Sequence, residues 1–507
     1  MKTLALPAIL SAALVAAACT NHSAVKYCVE GESCSPANAC KLGALSCATS
    51  SCEELDAGVA DGTACDGGVC SAGACSVCPQ GAACAPAGNP CHAGTVDCGT
   101  GQPLCSDTLA PGNEGASCGT DLICAAGSCG PGDGVDLSPT IAGSERMDLV
   151  HSAATGATGA TTLTVGSSVG FLAGQLLLVH QTVGAGAGKF EEVTVSGVAS
   201  PTALSLAAPL RHSYVTGAQA LIVRRFTSLT IPAGATLTAS PWNGSVGGIL
   251  TFKVHGALRV DGKISVAAVG YRGGAAASAM VDYDYNQQGE GSSGSGPARA
   301  NTNDAANASG GGAGCGQGSG GGGGYGSAGA GGQASGCTSA CAGTAAGQGG
   351  LVEGTADLGA ALLGGGGGAS GSHSSVGSGV QRDGAAGGAG GGLFVAHAGS
   401  LTVTAAGSID ADGIAGVDGY TTTGTLSPPQ PIGGGGGGAG GALKLTAGSI
   451  ELAGLVTALG GSGGATATGG VCTPSGLGGR GGDGRIYLSS PHIAGNTSPA
   501  ATEGTTP

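Results

Sequence analysis

Three aspartates, Asp410, Asp412 and Asp418, are the acids whose spacing best suits chemistry. In Ser408-Ile409-Asp410-Ala411-Asp412-Gly413 two carboxylates stand two residues apart, so on a β-strand they share one face. That arrangement suits paired acid–base work on a glycosidic bond, or oxygen ligation of calcium with Asp418 as a third ligand. The neighbouring segments 265–268 and 457–459 carry no matching acids, so an outward pair at a turn is the plainer reading. Asp282 and Asp284 alternate with Tyr283 and Tyr285, a pattern for cradling a sugar or calcium, or simply for a solvated loop. Gly166-Ser167-Ser168-Val169-Gly170 has the letters of a nucleophile elbow, but no helical pattern follows it, and the elbow requires one. The nine histidines form no metal-protease pair. No catalytic residue, no cofactor and no resident metal is therefore expected; calcium at Asp410, Asp412 and Asp418 is the weak exception.

The other reactive side chains are the 21 cysteines. Eight fall at Cys28, Cys34, Cys40, Cys47, Cys52, Cys65, Cys70 and Cys75, and eight more at Cys78, Cys84, Cys91, Cys98, Cys105, Cys118, Cys124 and Cys129. The sets align one to one, and Ala60-Asp61-Gly62-Thr63-Ala64-Cys65 matches Glu114-Gly115-Ala116-Ser117-Cys118, which is a tandem duplication. Neither unit has enough large apolar residues for a core, so disulfides must replace one. Zinc is the rival, but most gaps are four to six residues and His92 is the only histidine present. Eight cysteines allow about 105 pairings per unit, and spacing does not choose among them. Cys315, Cys337, Cys341 and Cys472 lie far downstream and make two further disulfides possible. The doubled unit holds eleven acids against Lys41 alone, within a chain of net charge −14. That charge disfavours nucleic acid as a partner and suits a soluble, extended spacer.

Residues 1–18 pair Lys2 with an apolar run from Leu4 to Ala18, the pattern of a signal peptide. Ala16-Ala17-Ala18-Cys19 resembles a bacterial lipobox, with Ala16 where leucine is most typical. The resemblance implies lipidation of Cys19. Setting Cys19 aside leaves sixteen and four cysteines, both even sets. The cysteine pattern of 28–129 resembles repeats of myxobacterial surface lipoproteins.

The elements that must position all this are short strands. Residues 28–75 and 78–129 form the two cysteine-rich repeats, joined to the anchor by 19–27, and 130–145 is a linker. Residues 146–226 alternate as a small all-β region. From 227 to 494 a three-strand motif recurs. Gly247-Gly248-Ile249-Leu250-Thr251-Phe252-Lys253 aligns with Gly391-Gly392-Leu393-Phe394-Val395-Ala396-His397 and with Gly440-Gly441-Ala442-Leu443-Lys444-Leu445. Such spacing predicts stacked rungs, with Leu258 and Val260 above Leu401 and Val403 in an inward ladder. A β-sandwich is the main rival. The chain has 109 glycines in 507 residues, with pure runs at 320–324, 364–368 and 433–438. Ordering glycine costs backbone entropy, so these runs are either flexible or packed side by side as polyglycine II-like strands. The fold class expected is all-β: disulfide-stapled repeats, then a glycine-rich right-handed β-helix-like domain, then a disordered tail at 495–507. The glycine-rich layout resembles bacterial and phage β-helical surface proteins and, more loosely, mycobacterial PE-PGRS domains. The resemblance implies a surface, adhesive or structural role. A lipid-anchored, non-enzymatic protein of the outer membrane or cell surface is the leading expectation, with a polysaccharide or cell-surface protein as ligand. A carbohydrate-active enzyme using Asp410–Asp418 is the alternative. In the first expectation Tyr271, Tyr283, Tyr285 and Tyr325 sit on insertions that form the binding face.

Overall fold

In the computed structural model the described residues are 30–31, 33–59 and shorter segments of the cysteine-rich half up to 131. Beyond it they are 141–276, 287–296, 304–314, 318–334, 346–375, 380–382, 384–419, 432–465 and 476–505. Among them there is no helix; the chain is all-β. It divides into two compact units, 1–88 with 93–110, and 89–92 with 111–507.

The duplication is visible strand by strand. Ser33–Cys34, Lys41–Ser46 and Ser51–Gly58 form one three-stranded sheet, and Ala64–Cys65, Gly68–Ser71 and Ala74–Val77 form another. The second copy repeats both, from Ala83–Cys84 to Leu104–Pro111 and from Ser117–Gly119 to Ser128–Pro131. Cys70 lies opposite Cys75 in one hairpin, as Cys124 lies opposite Cys129 in its counterpart. Disulfides join Cys34 to Cys52, Cys40 to Cys70 and Cys65 to Cys75. In the second copy Cys84 joins Cys105, the same second-to-fifth pairing. Cys47 is also disulfide-bonded. A Cβ on Gly43 would stand 2.5 Å from the Cys52 sulfur, and one on Gly94 would stand 2.6 Å from the Cys105 sulfur. Both copies therefore need glycine three residues after their third cysteine, because the crosslink passes over the bare main chain there.

Residues 151–222 close into a six-stranded antiparallel barrel. Its strands run His151–Gly156, Thr162–Val165, Leu176–Gln181, Phe190–Ser200, Ala203–Leu206 and Tyr214–Ile222. Alternation points Leu163, Val165, Leu177, Val179, Val193 and Leu204 inward, and side chains fill the barrel.

Parallel sheets carry the rest. Ser144–Arg146, Thr236–Thr238, Lys263–Ser265, Ser408–Asp410 and Leu455–Thr457 make one. The larger sheet stacks Arg224–Phe226 and Leu229–Ile231 on Ile249–Val260, then Leu393–Val403, then Ala442–Ala447 with Ile450–Leu452, then Arg485–Ser489 with Ile493–Gly495. Last comes Thr502–Gly504, which pairs as a strand within the stretch expected to be a disordered tail. Leu258 pairs with Leu401 and Leu401 with Ile450, while Val260 pairs with Val403 and Val403 with Leu452. This is the ladder the repeat predicts, and it forms one core with Phe226, Phe252 and Phe394, whose rings pack at 6.2 and 5.3 Å.

The glycine runs are extended and bonded sideways through their main chains. Gly320 N–H donates to Gly434 O (3.0 Å), Gly323 to Gly437 O (2.9 Å), Gly368 to Gly321 O (2.8 Å) and Gly436 to Gly368 O (2.9 Å). All three runs thus meet. A Cβ added at Gly435 would lie 2.0 Å from Ala386 O, and one at Gly320 would lie 1.9 Å from Gly368 O. No other residue fits there.

Candidate functional site

Asp410 ends the strand Ser408–Asp410, in register with Ser265 on one side and Thr457 on the other. Its Oδ2 lies 2.5 Å from Lys263 Nζ, and its Oδ1 accepts a short hydrogen bond from Ser265 Oγ. Asp412 accepts from Thr457 Oγ1 at 3.0 Å and from Leu459 N–H at 2.6 Å. Burial pushes the Asp412 carboxyl above its ordinary range, while both donors pull it back. Asp418 accepts from Ala465 N–H at 2.7 Å. Asp148, which bonds Ser240 N–H, and Asp483, which bonds Gly460 N–H, follow the same habit. These acids tie together segments distant in the sequence. Asp410 and Asp412 thus take hydrogen bonds or an ion pair from Lys263, Ser265, Thr457 and Leu459.

Ser168 sits in a turn after the strand Thr162–Val165, its N–H bonded to Pro201 O, with Gly170 at a φ of +86° and no helix following. The elbow geometry is absent there.

Tyr271 and Tyr325 are fully buried, contrary to the expectation that they project from a binding face. Tyr271 donates its hydroxyl to Thr182 O, and Tyr325 Oη accepts from Leu362 N–H at 3.1 Å. Trp242 meets Tyr271 edge-on at 6.4 Å. These rings, with Leu178, Leu221, Leu393 and Val395, weld the barrel wall to the outer face of the parallel sheet and to the glycine layer. A polar seam runs through the same weld. His180 Nε2 donates to Ala361 O (2.8 Å), Thr182 Oγ1 lies 3.0 Å from His180 Nδ1, and Gln219 Nε2 donates to Thr182 Oγ1 (2.9 Å). Complete burial lowers the His180 pKa to about 4, and the bond to Ala361 only partly opposes it.

Cys19, Cys28, Cys78, Cys91, Cys98, Cys315, Cys337, Cys341, Cys472, Tyr283, Tyr285, Asp282 and Asp284 lie outside the described residues. Cys118, Cys124 and Cys129 lie on described strands.

A groove not singled out from sequence opens where the parallel sheet emerges beside the barrel. It holds about 590 Å³ and is lined by Arg225, Phe226, Thr227, Lys253, Val254, His255, His397, Ala398 and Gly399. Arg225 pairs in register with Lys253, and Lys253 with His397, so three nitrogen-bearing side chains stand in a row across adjacent strands. Thr446 extends the row. Lys253 Nζ meets Glu192 Oε2 of the barrel at 2.5 Å, with the two side chains 33% and 25% exposed. Burial and the Lys253 ammonium hold the His397 imidazole below its ordinary pKa, against the pull of Glu192. The repeat alignment already put Lys253 and His397 at one position; Arg225 precedes the first copy and escaped it. Comparison of the chain with protein families, curated proteins and solved structures finds no match.

Proposed function

We propose that this chain is a lipid-anchored cell-surface protein whose distal half is a rigid, non-catalytic platform for ligand display. In this reading Cys19 carries lipid, the cysteine-rich repeats are a spacer, and the parallel sheets wind as a right-handed β-helix braced by polyglycine II-type strands. The observation that carries it is the glycine layer. Three runs remote in sequence exchange main-chain hydrogen bonds without intervening side chains, an arrangement that makes a stiff slab rather than a linker. A platform suits adhesion or envelope structure. The engagement of Asp410 and Asp412 by Lys263, Ser265, Thr457 and Leu459 speaks for a non-enzymatic role.

The test is localisation followed by adhesion. Wild type should take up labelled palmitate, partition with membranes and be removed from intact cells by external protease, while Cys19→Ala should not be labelled. Equal labelling of the variant overturns the anchor. Full protection from protease in intact, otherwise shaved cells overturns surface display.

A further inference from the structure

We propose that the groove around Arg225, Lys253 and His397 binds the anionic group of an acidic saccharide, either a uronate carboxylate or a sulfate ester. The saccharide half of this assignment rests on the surface reading above, and the anion half rests on the groove itself.

The chain is acidic, with 17 Lys and Arg against 31 Asp and Glu, yet two of those cations and two of its nine histidines line this one groove. Parallel pairing sets Arg225, Lys253 and His397 side by side. Adjacent strands lie about 4.8 Å apart, so the row spans roughly 10 Å, the length of one or two sugar rings. Arginine can grip a carboxylate or sulfate with two parallel N–H bonds, and lysine adds a point charge beside it. Neutral imidazole still offers one N–H donor, so His397 contributes hydrogen bonding rather than charge. Phe226, Val254 and Ala398 form the groove's floor from the core side, with Phe226 and Val254 buried, so the polar row on the adjacent positions is what faces a ligand. The volume of about 590 Å³ falls within the usual range for small-ligand sites.

Glu192 is the apparent objection, since its carboxylate already faces Lys253. A partly exposed ion pair is weak, and an incoming anion held also by Arg225 can share the ammonium. Glu192 would then repel a second negative charge at that end, which favours ligands whose anionic groups are spaced apart over those with adjacent ones.

The experiment uses the purified full chain in detergent and measures affinity for polygalacturonate, dextran sulfate and neutral dextran at one ionic strength. Binding to either or both of the acidic polymers and not to dextran is expected; the preferred one identifies carboxylate or sulfate as the group read. Lys253→Gln and Arg225→Gln should each weaken binding about tenfold or more, and Lys253→Arg should retain it. Lys189→Gln, which removes an equal charge from an exposed barrel loop, should bind like wild type. Thermal unfolding of each variant certifies that it is folded. Equal binding to dextran, undiminished binding by folded Lys253→Gln and Arg225→Gln, or an equal loss in Lys189→Gln overturns the proposal. Adhesion of intact cells that is unchanged in folded groove variants also overturns the groove while leaving surface display standing. Groove binding by a protein that external protease cannot reach leaves the groove standing and removes the surface reading.

Discussion

His180 shows how one residue couples the weld between barrel and sheet to acidity. The imidazole is fully buried, and its pKa falls to about 4 from an ordinary 6.5. The unfolded chain therefore takes up this proton below pH 6.5, while the folded chain resists until about pH 4. Stability is full above pH 6.5 and declines as the pH falls through that window, by about 3 kcal/mol in all. Glu191 adds its own loss further down. Burial raises its carboxyl, but the N–H groups of Arg211 and His212, the Arg211 guanidinium and the Tyr214 hydroxyl together hold it below its ordinary value. Denaturation followed between pH 7 and 4 should show the decline in wild type, and His180→Gln should flatten it above the carboxylate range. An unchanged slope in that variant rules His180 out as its source. Sequence reading could not find this residue. Nothing near His180 in the chain marks Ala361 as its partner, and a lone histidine on an alternating strand looks like any other.

At the scale of elements, the cysteine-rich copies make the firmest statement about one another. Gly43 and Gly94 both lie under a second-to-fifth disulfide, and the hairpins Gly68–Ser71 with Ala74–Val77 and Leu122–Ala125 with Ser128–Pro131 share one register. The duplication then predicts that Cys91 joins Cys124 and Cys118 joins Cys129, as Cys40 joins Cys70 and Cys65 joins Cys75. Peptide mapping of the unreduced protein checks this directly; a Cys118–Cys124 crosslink would break the equivalence. Gly94→Val should leave free thiols at Cys84 and Cys105, because the added carbon occupies the space of the sulfur. That the repeat exists was legible in the spacing of sixteen cysteines. The pairing was not, because it depends on which strands fold over which, and that appears only when a small residue such as Gly43 is seen beneath a sulfur. The ladder of Leu258 and Val260 over Leu401 and Val403 was legible for the opposite reason, since a buried row recurs at a fixed offset in the chain. The burial of Tyr271 and Tyr325 was not legible. Surrounded by glycine they looked displayed, and only the barrel's return onto the sheet covers them.

At the scale of the molecule, the glycine layer is what stands between two very different proteins, one rigid and one loosely strung. Gly435→Val places a side chain where Ala386 O lies 2.0 Å from the Cβ position. Neighbouring strands must part, and each main-chain group left buried and unbonded costs about 1–3 kcal/mol. The loss should spread to Leu393–Val403 and Ala442–Ala447, which flank the layer. Amide exchange should be slow across 433–438 in wild type and accelerated there and in both flanking strands in the variant. Rapid exchange in wild type would mean the layer is not a slab in solution. The same layer has a consequence for how the fold finds itself. A run of identical residues carries no address: sliding 433–438 past 364–368 by one position exchanges glycine for glycine. Alignment must be written at the borders, in the aspartates that bond distant segments, in Tyr325 locked to Leu362, and in the tilted Phe252–Phe394 contact. The middle of this protein is the part that says least about its own arrangement, and its edges hold the instructions.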